Sequence, residues 1–436
     1  TPKQKRRDGS PMFEPDNRVL VLDEVKMVGD YVALVVAETL NQARDAAELI
    51  EVDYDILPSV STPFEAAQSD APKVWAEARD NHCFVHTVGD KAAADAAFEV
   101  ATHVVKGRLP VNRSAHVTME PRGAIGDYNS GTDTWLLYTG CHYPWQMRTE
   151  LAEKIFHEPE SKFRVVAGDM GGSFGLRGAT YREHVLVLWA SRRIGRPVKW
   201  VSDRSEGFMS DHHGRDVYWE GEIALDENAK FLAVRAKSYA NVGAYLAGKG
   251  TLPPIANLGT MAGTYVIPAM HTDVTAVFTN TNPVCPFRGN GRPEASYVIE
   301  RLIDLAADEI GMDAAELRRI NQIPPEAIPY KTALTFTYDS GNFGDNLEKA
   351  LKMADYDGLD SRRGASAKTG KLRGIGVSNS IERAGAPSLE SAEIRFNPTG
   401  TVTLYAGTSQ QGQGHETIYK QIMCEKLGLD PDDISF

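Results

Sequence analysis

The chain has 436 residues, 42% of them hydrophobic, which is enough for two or three domains with sizeable cores. Its net charge of −12 argues against a nucleic-acid surface, and no stretch approaches the ~18–20 consecutive apolar residues of a membrane span. The basic, polar start TPKQKRRDGS has no apolar core behind it, so no signal peptide is visible. Cys83, Cys141, Cys285 and Cys424 are scattered without a CxxC pair. That disfavours a zinc or iron–sulfur site and leaves a reducing cytoplasm as the default, with the thiols acting as small buried hydrophobes.

In chain order, residues 31–39 (YVALVVAET) are apolar and β-branched and predict a buried strand. Residues 40–50 follow with helical spacing, and EVDYDILP predicts a second strand ending at Pro58. The Ser-, Pro- and Asp-bearing stretch 59–80 reads as a linker. From about residue 82 the pattern turns mixed α+β, with strands expected at 101–109, 134–139 and 163–167 and helices at 148–156, 182–194 and 293–310. In the last helix Val298, Leu302, Leu305 and Ile310 form an apolar face, while Glu300, Arg301, Asp304 and Asp308 fall elsewhere. Asp313 is placed to cap a short helix over 313–320, and Pro324, Pro325 and Pro329 then break the pattern. A further unit opens near 340, with a helix at 345–354, strands at 391–396 and 401–406, and a helix at 416–427. Another strand is expected to start at Asp433–Phe436.

Three glycine-bearing segments stand out: Gly171-Gly172-Ser173-Phe174-Gly175, the run Pro286 to Ala295 (PFRGNGRPEA), and Gly412-Gln413-Gly414-His415-Glu416-Thr417. Glycine lets backbone approach a ligand closely. Each segment adjoins an expected helix start, whose free N–H groups favour anions. Each also carries its own polar residue, Ser173, Arg288 or Gln413. Together they suggest one large, polyanionic ligand gripped from several sides. A strand, a tight glycine loop and a helix recur at 163–194 and 401–427. No GxGxxG opens a β-α-β unit, which speaks against a nicotinamide or flavin enzyme.

GGSFG, FRGNGRPEASYVIERLID and GQGHET, in this order and spacing, resemble the large subunits of molybdenum hydroxylases, the family of xanthine dehydrogenase, aldehyde oxidase and carbon monoxide dehydrogenase. The resemblance runs from about residue 15 to Phe436 and is nearest to bacterial carbon monoxide dehydrogenase-like subunits. It implies an α+β fold in three parts: a hammerhead-like α/β remnant over 1–75, a first molybdopterin-binding domain over 82–330, and the start of a second over 340–436. It further implies a molybdenum-pterin cofactor, possibly in the cytosine dinucleotide form, and Fe–S and FAD partner subunits. Hammerhead residues before Thr1 and a long second half after Phe436 are expected too.

By the same resemblance, Gly172, Phe174 and Gly175, then Phe287, Arg288 and Gly289, then Gly412, Gln413 and Gly414 are expected to hold the cofactor. Backbone N–H groups of Phe174 and Gly175 would face the metal's oxygen ligand. The planar fork of Arg288 suits pterin edges and phosphate oxygens. Asn290 stands where substrate contact is expected. His142, in TGCHYPW, replaces a glutamine that contacts the metal's oxo group; it has a second reading as a packed histidine. A metal-facing imidazole would make activity pH-sensitive near neutrality. His415 reads as a hydrogen-bonding partner rather than a base, and Glu120 and Glu183 as structural.

No catalytic residue is expected within this chain, because the family's general-base Glu lies in a motif beyond Phe436. Cys285 is displaced from the copper-binding position of carbon monoxide oxidisers, and Gly178 stands where xanthine oxidisers carry Glu. The implied reaction is oxidation of an aldehyde or an N-heterocycle with oxygen taken from water. The alternative is a non-catalytic scaffold derived from such a subunit.

Overall fold

A computed structural model describes residues 12–382 and 390–436. In chain order the strands of the first region are β1 His82–Gly89, β2 His103–Ser114, β3 Gly123–Asn129, β4 Thr134–Thr139, β5 Phe163–Val166, β6 Val198–Val201, β7 Gly214–Leu225, β8 Phe231–Gly243 and β9 Ala269–Phe278. They form two mixed sheets, ordered β1-β9-β8-β7-β2 and β5-β4-β3-β6. Within the first sheet only β8 and β9 run parallel; within the second only β4 and β5 do. The fold is α+β, as the sequence indicates.

Each sheet buries one face under a helix. The Arg292–Ile310 helix lies across β2 and β7, and its Val298, Leu302 and Ile303 are fully enclosed with Leu225, Phe231, Ile267 and Met270. The Arg182–Ile194 helix lies on β3, β4 and β6, enclosing Leu188 with Trp135 and Leu137. Burying such side chains stabilises by roughly 1.5–3 kcal/mol each. Glu300 departs from the expected polar face of its helix. It is buried, accepting from Tyr265 Oη at 2.7 Å and from Arg318 at 2.8 and 2.9 Å, and so ties the Ala314–Asn321 helix to its neighbour. Asp313 caps that second helix, accepting from the Ala315 and Glu316 amides at 2.9 and 3.0 Å.

A third, smaller sheet joins Ala392–Phe396, Val402–Ala406 and Ile434–Ser435. With the His415–Leu427 helix it forms a separate core of Val402, Leu404, Met423 and Ile434. The expected helix at 148–156 exists, but it starts as α-helix at Pro144 and continues as π-helix from Glu150 to Phe156.

Two expectations fail near the N-terminus. Residues 31–39 and 51–58 form no strands: the Val21 amide donates to the Tyr31 carbonyl at 2.8 Å, but no ladder extends from that bond among the described residues. Val32, Val36, Val52 and Ile56 are exposed as a result, and the Leu40–Glu48 helix between them buries no residue. Residues 59–80 are no loose linker either. Val60, Ala66, Val74 and Ala78 pack into a core with Tyr245 and Phe278, and Trp75 Nε1 donates to the Ala244 carbonyl at 2.7 Å. Their polar composition concealed four apolar anchors.

The central strands β7, β8 and β9, and with them the five-stranded sheet, had no counterpart in the sequence reading. β9 is buried almost throughout and shows no alternation, whereas β7 and much of β8 do alternate buried with partly exposed residues, a period the sequence reading passed over.

Candidate cofactor site

Three sheets each contribute one strand followed by one glycine loop and one helix. GGSFG follows β5, PFRGNG follows β9, and GQG joins the Val402–Ala406 strand to the His415–Leu427 helix. The first two loops interlock: the Arg288 amide donates to the Phe174 carbonyl at 2.9 Å. At Gly175 the backbone has φ +118°, and a Cβ there would stand 1.9 Å from the Pro286 carbonyl oxygen. Only glycine fits.

Two non-glycine residues in these loops, Phe174 and Asn290, also hold positive φ, at 56° and 47°. Such backbone costs of order 1–3 kcal/mol and gathers at functional sites. The amides of Phe174 and Gly175, and those of Gly412 and Gln413, donate to no group among the described residues. A set of outward N–H donors at φ-strained turns is a receptor for oxygen-rich or anionic groups.

The third loop reaches the same place through His142. Ser409 Oγ donates to the His142 carbonyl at 2.7 Å, and the His142 amide donates to the Arg177 carbonyl at 2.9 Å. The His142 imidazole is hydrogen-bonded through Nε2 to Ser173 Oγ. Burial, then the charges of Lys249 and Arg177, push its pKa down to about 4. It is therefore neutral at pH 7, and the near-neutral titration expected of it is not what this geometry produces. Both readings of His142 meet here: it is packed, and it sits on the glycine loop.

Arg177 is a residue that sequence reasoning passed over. Its Nε donates to the Gly172 carbonyl at 3.0 Å and its Nη2 to Glu120 Oε2 at 3.0 Å, while Glu120 Oε2 also takes the Gly171 amide at 2.6 Å. Glu120 thus fixes the loop. Glu183 is deeply buried, accepting from Arg122 at 2.8 Å and from Tyr31 Oη. Although burial opposes ionisation, the adjacent Arg122 guanidinium prevails and holds the carboxyl down at about 2.

Arg215 is a second missed residue, and it carries the other loop. Its guanidinium donates to the Phe287 carbonyl at 3.1 Å, the Arg288 carbonyl at 2.6 Å and Glu294 at 2.8 Å, and lies 4.8 Å from the Phe287 ring centre. Nothing in the local string HHGRD announces this, because the contact exists only once β7 meets the loop after β9.

Arg288 itself is exposed and has no carboxylate within ion-pair distance among the described residues. Its guanidinium lies 5.8 Å from the Phe174 ring centre. Asn290 is fixed through its carbonyl by Asn257 Nδ2 at 2.6 Å, while its Oδ1 is buried without a partner. Gln413 folds back, accepting from the Gln411 amide at 2.6 Å. His415 stacks on Tyr419 with ring centres 5.5 Å apart, and its Nδ1 is buried without a partner among the described residues. Cys285 is fully enclosed behind Pro286, 4.0 Å from His116 Nε2.

A cleft of about 550 Å³ opens beside these loops, lined by Trp145, Met170, Ser409, Gln410 and Glu416 among others. A larger groove of about 680 Å³ lies on the outer face of the five-stranded sheet. It is lined by cross-strand charge pairs such as Lys106 with Glu222 and includes no residue of the three loops. A group offering many acceptors and negative charge fits the loops well: they provide free amides, an unpaired arginine and backbone that no Cβ obstructs.

Comparison with known proteins agrees. The molybdopterin cofactor-binding domain family matches residues 74–322, and a second family of the same description matches 349–436. The a/b hammerhead domain of aldehyde oxidase and xanthine dehydrogenase matches 1–58. The chain belongs to the molybdopterin-binding large subunits of the molybdenum hydroxylase family. It is 35% identical to the carbon monoxide dehydrogenase large chain of Hydrogenophaga pseudoflava, over 95% of this chain and 55% of that one. It is 32% identical to the 6-hydroxypseudooxynicotine dehydrogenase complex subunit gamma of Paenarthrobacter nicotinovorans, over 95% and 52%.

Among solved structures it resembles quinoline 2-oxidoreductase from Pseudomonas putida 86, with TM-score 0.87 and 32% identity over 95% of this chain and 54% of that one. It also resembles carbon monoxide dehydrogenase from Oligotropha carboxidovorans, with TM-score 0.87 and 34% identity over 95% and 56%. The chain spans about half the length of the curated relatives it matches.

Proposed function

We propose that this chain is the cofactor-holding part of a molybdenum-dependent hydroxylase that oxidises an N-heterocycle or an aldehyde. The observation that carries the proposal is the meeting of three strand–glycine loop–helix units, one from each sheet, around His142, Phe174 and Arg288. In the net reaction a substrate R–H and water give R–OH, two protons and two electrons. The molybdenum-pterin group, when bound, supplies the redox centre for that chemistry.

The chain's own residues bind and orient. Gly172, Phe174 and Gly175 offer backbone donors to the oxygen side of the site. Phe287, Arg288 and Gly289 hold the pterin and its phosphate. Gly412, Gln413 and Gly414 close on it from the second unit, with 82–330 and 340–436 as the two cofactor-binding units. His142 and Asn290 face the substrate side. The carboxylate that accepts a proton comes from beyond Phe436, and the electrons leave through Fe–S and FAD partner subunits in the cytoplasm. The cytosine dinucleotide form of the cofactor is part of this proposal.

Relatives named for quinoline and for 6-hydroxypseudooxynicotine support a heteroaromatic over an aldehyde. The enclosed position of Cys285 supports a substrate other than carbon monoxide. Elemental analysis of the native complex tests the proposal. About one molybdenum per chain with a bound pterin supports it; a complex with neither is the scaffold alternative and ends the catalytic reading.

A further inference from the structure

Lys249 carries a charge that nothing else in the site uses. It lies in a turn closed by the Gly250 amide donating to the Ala247 carbonyl at 2.8 Å, between β8 and the short helix Leu252–Ile255. The turn backs onto the segment leading to Arg288, since a Cβ on Gly250 would stand 2.9 Å from the Val284 carbonyl oxygen. The ammonium hangs 3.9 Å from the centre of the Tyr143 ring. That ring in turn meets the His142 imidazole edge-on, with centres 5.6 Å apart.

A half-buried lysine normally has a carboxylate beside it. Lys249 has none within ion-pair distance among the described residues. Glu150, the acid whose field reaches it, already accepts from Gln146 Nε2 at 2.9 Å and Thr180 Oγ1 at 2.6 Å. Burial lowers the Lys249 pKa from its usual value, the opposite of what a resident counter-ion would do. The other cations nearby have assignments: Arg177 is bonded to Glu120, and Arg288 faces the cofactor loop. His142 is neutral. The Tyr143 ring beside the ammonium is open to solvent, and so is the Trp145 ring 5.6 Å from it, which together suit a flat ring.

We propose that Lys249 anchors a carboxylate on the substrate, so that the site takes a planar heteroaromatic acid. The proposal rests on the hydroxylase reading above and narrows its substrate class. Lys249 would act as a positioning residue: the carboxylate pairs with its ammonium while the ring lies along the aromatic rim, turning one ring carbon toward the glycine loops. A lysine suits this as a single mobile point charge, and its hold on the anion should weaken with salt.

The test uses the intact complex, assayed for molybdenum, with pyridine-4-carboxylate and pyridine-4-carboxamide as probes. These share size and ring and differ in charge. Calorimetric titration should show the acid binding the wild type at least about tenfold more tightly than the amide. Lys249→Met should abolish that preference with the molybdenum content and melting temperature unchanged, and Lys249→Arg should largely restore it. Equal binding of the two probes to wild type, or a preference that survives Lys249→Met, would overturn the proposal. Either result in a sample holding one molybdenum per chain condemns the Lys249 assignment alone. A sample without molybdenum condemns the hydroxylase reading, whatever the probes do.

Discussion

The Arg288 amide is hydrogen-bonded to the Phe174 carbonyl at 2.9 Å, although 114 positions of chain and two sheets separate their loops. That bond sets the distance between the guanidinium of one loop and the free amides of the other. Whatever spreads the loops should therefore cost cofactor before it costs fold.

Gly175→Ala is the direct case. Its Cβ would collide with the Pro286 carbonyl, at a φ that L residues rarely adopt. Urea unfolding should show a loss of about 2 kcal/mol or more, and purified complex should contain little molybdenum. Gly364→Ala, in the Leu359–Ala367 helix with nothing near its Cβ, should instead stabilise by about 0.5–1 kcal/mol.

Arg215→Met removes donors from the Phe287 and Arg288 carbonyls and leaves Glu294, 4% exposed, without its partner. Breaking a buried pair in this way costs about 3–5 kcal/mol. Denaturant unfolding of the chain should register it, together with reduced molybdenum. An unchanged unfolding midpoint would mean that the loop does not depend on Arg215.

Arg288→Lys should separate binding from folding. The side chain is exposed and held by no carboxylate, so the melting temperature should stay within about 1–2 °C. A lysine cannot reproduce the planar fork, and molybdenum and pterin content should fall several-fold. Full occupancy in this variant would remove Arg288 from the cofactor site.

Acid should destabilise the chain early. Burial is the leading cause that pushes His116, His142, His184 and His213 down to about 4 and His212 to about 3. Unfolded, each binds a proton near pH 6.5, so the unfolded chain holds more protons between the two values. The stabilisation is fully present above pH 6.5 and is lost as pH falls toward 4. Each imidazole contributes a slope of up to about 1.4 kcal/mol per pH unit. Glu183, whose pKa is depressed to about 2, adds a further loss only below its usual carboxylate range. Thermal melts from pH 8 to 4 should fall steeply below 6.5; a flat profile would contradict the buried neutral histidines.

The glycine loops of the candidate site were legible because tight loops declare themselves locally. Gly172, Gly175, Gly289, Gly412 and Gly414 all hold positive φ, and Pro293 stands in the first turn of its helix, which begins one residue earlier than expected, at Arg292. The Arg182–Ile194 and Arg292–Ile310 helices were recognisable from their apolar spacing and lie where it put them. What escaped is non-local. Strand β9 is buried almost throughout and carries no period, while the alternation in β7 and β8 went unread. Arg177 and Arg215 acquire their partners, and Lys249 its place over the Tyr143 ring, only through contacts between segments far apart in sequence. Residues 31–39 erred in the other direction: an apolar run predicts burial, but burial needs a neighbour.

The small C-terminal core has consequences for the order of assembly. Val402, Leu404, Met423 and Ile434 share no hydrophobic cluster with the two large sheets. Among the described residues, the hydrogen bond that joins that unit to the site is a hydroxyl-to-carbonyl bond, Ser409 to His142. The two cores therefore meet across the cleft through few direct contacts. A ligand touching all three loops would act as the rivet, entering an open jaw late in maturation rather than threading into a finished cavity.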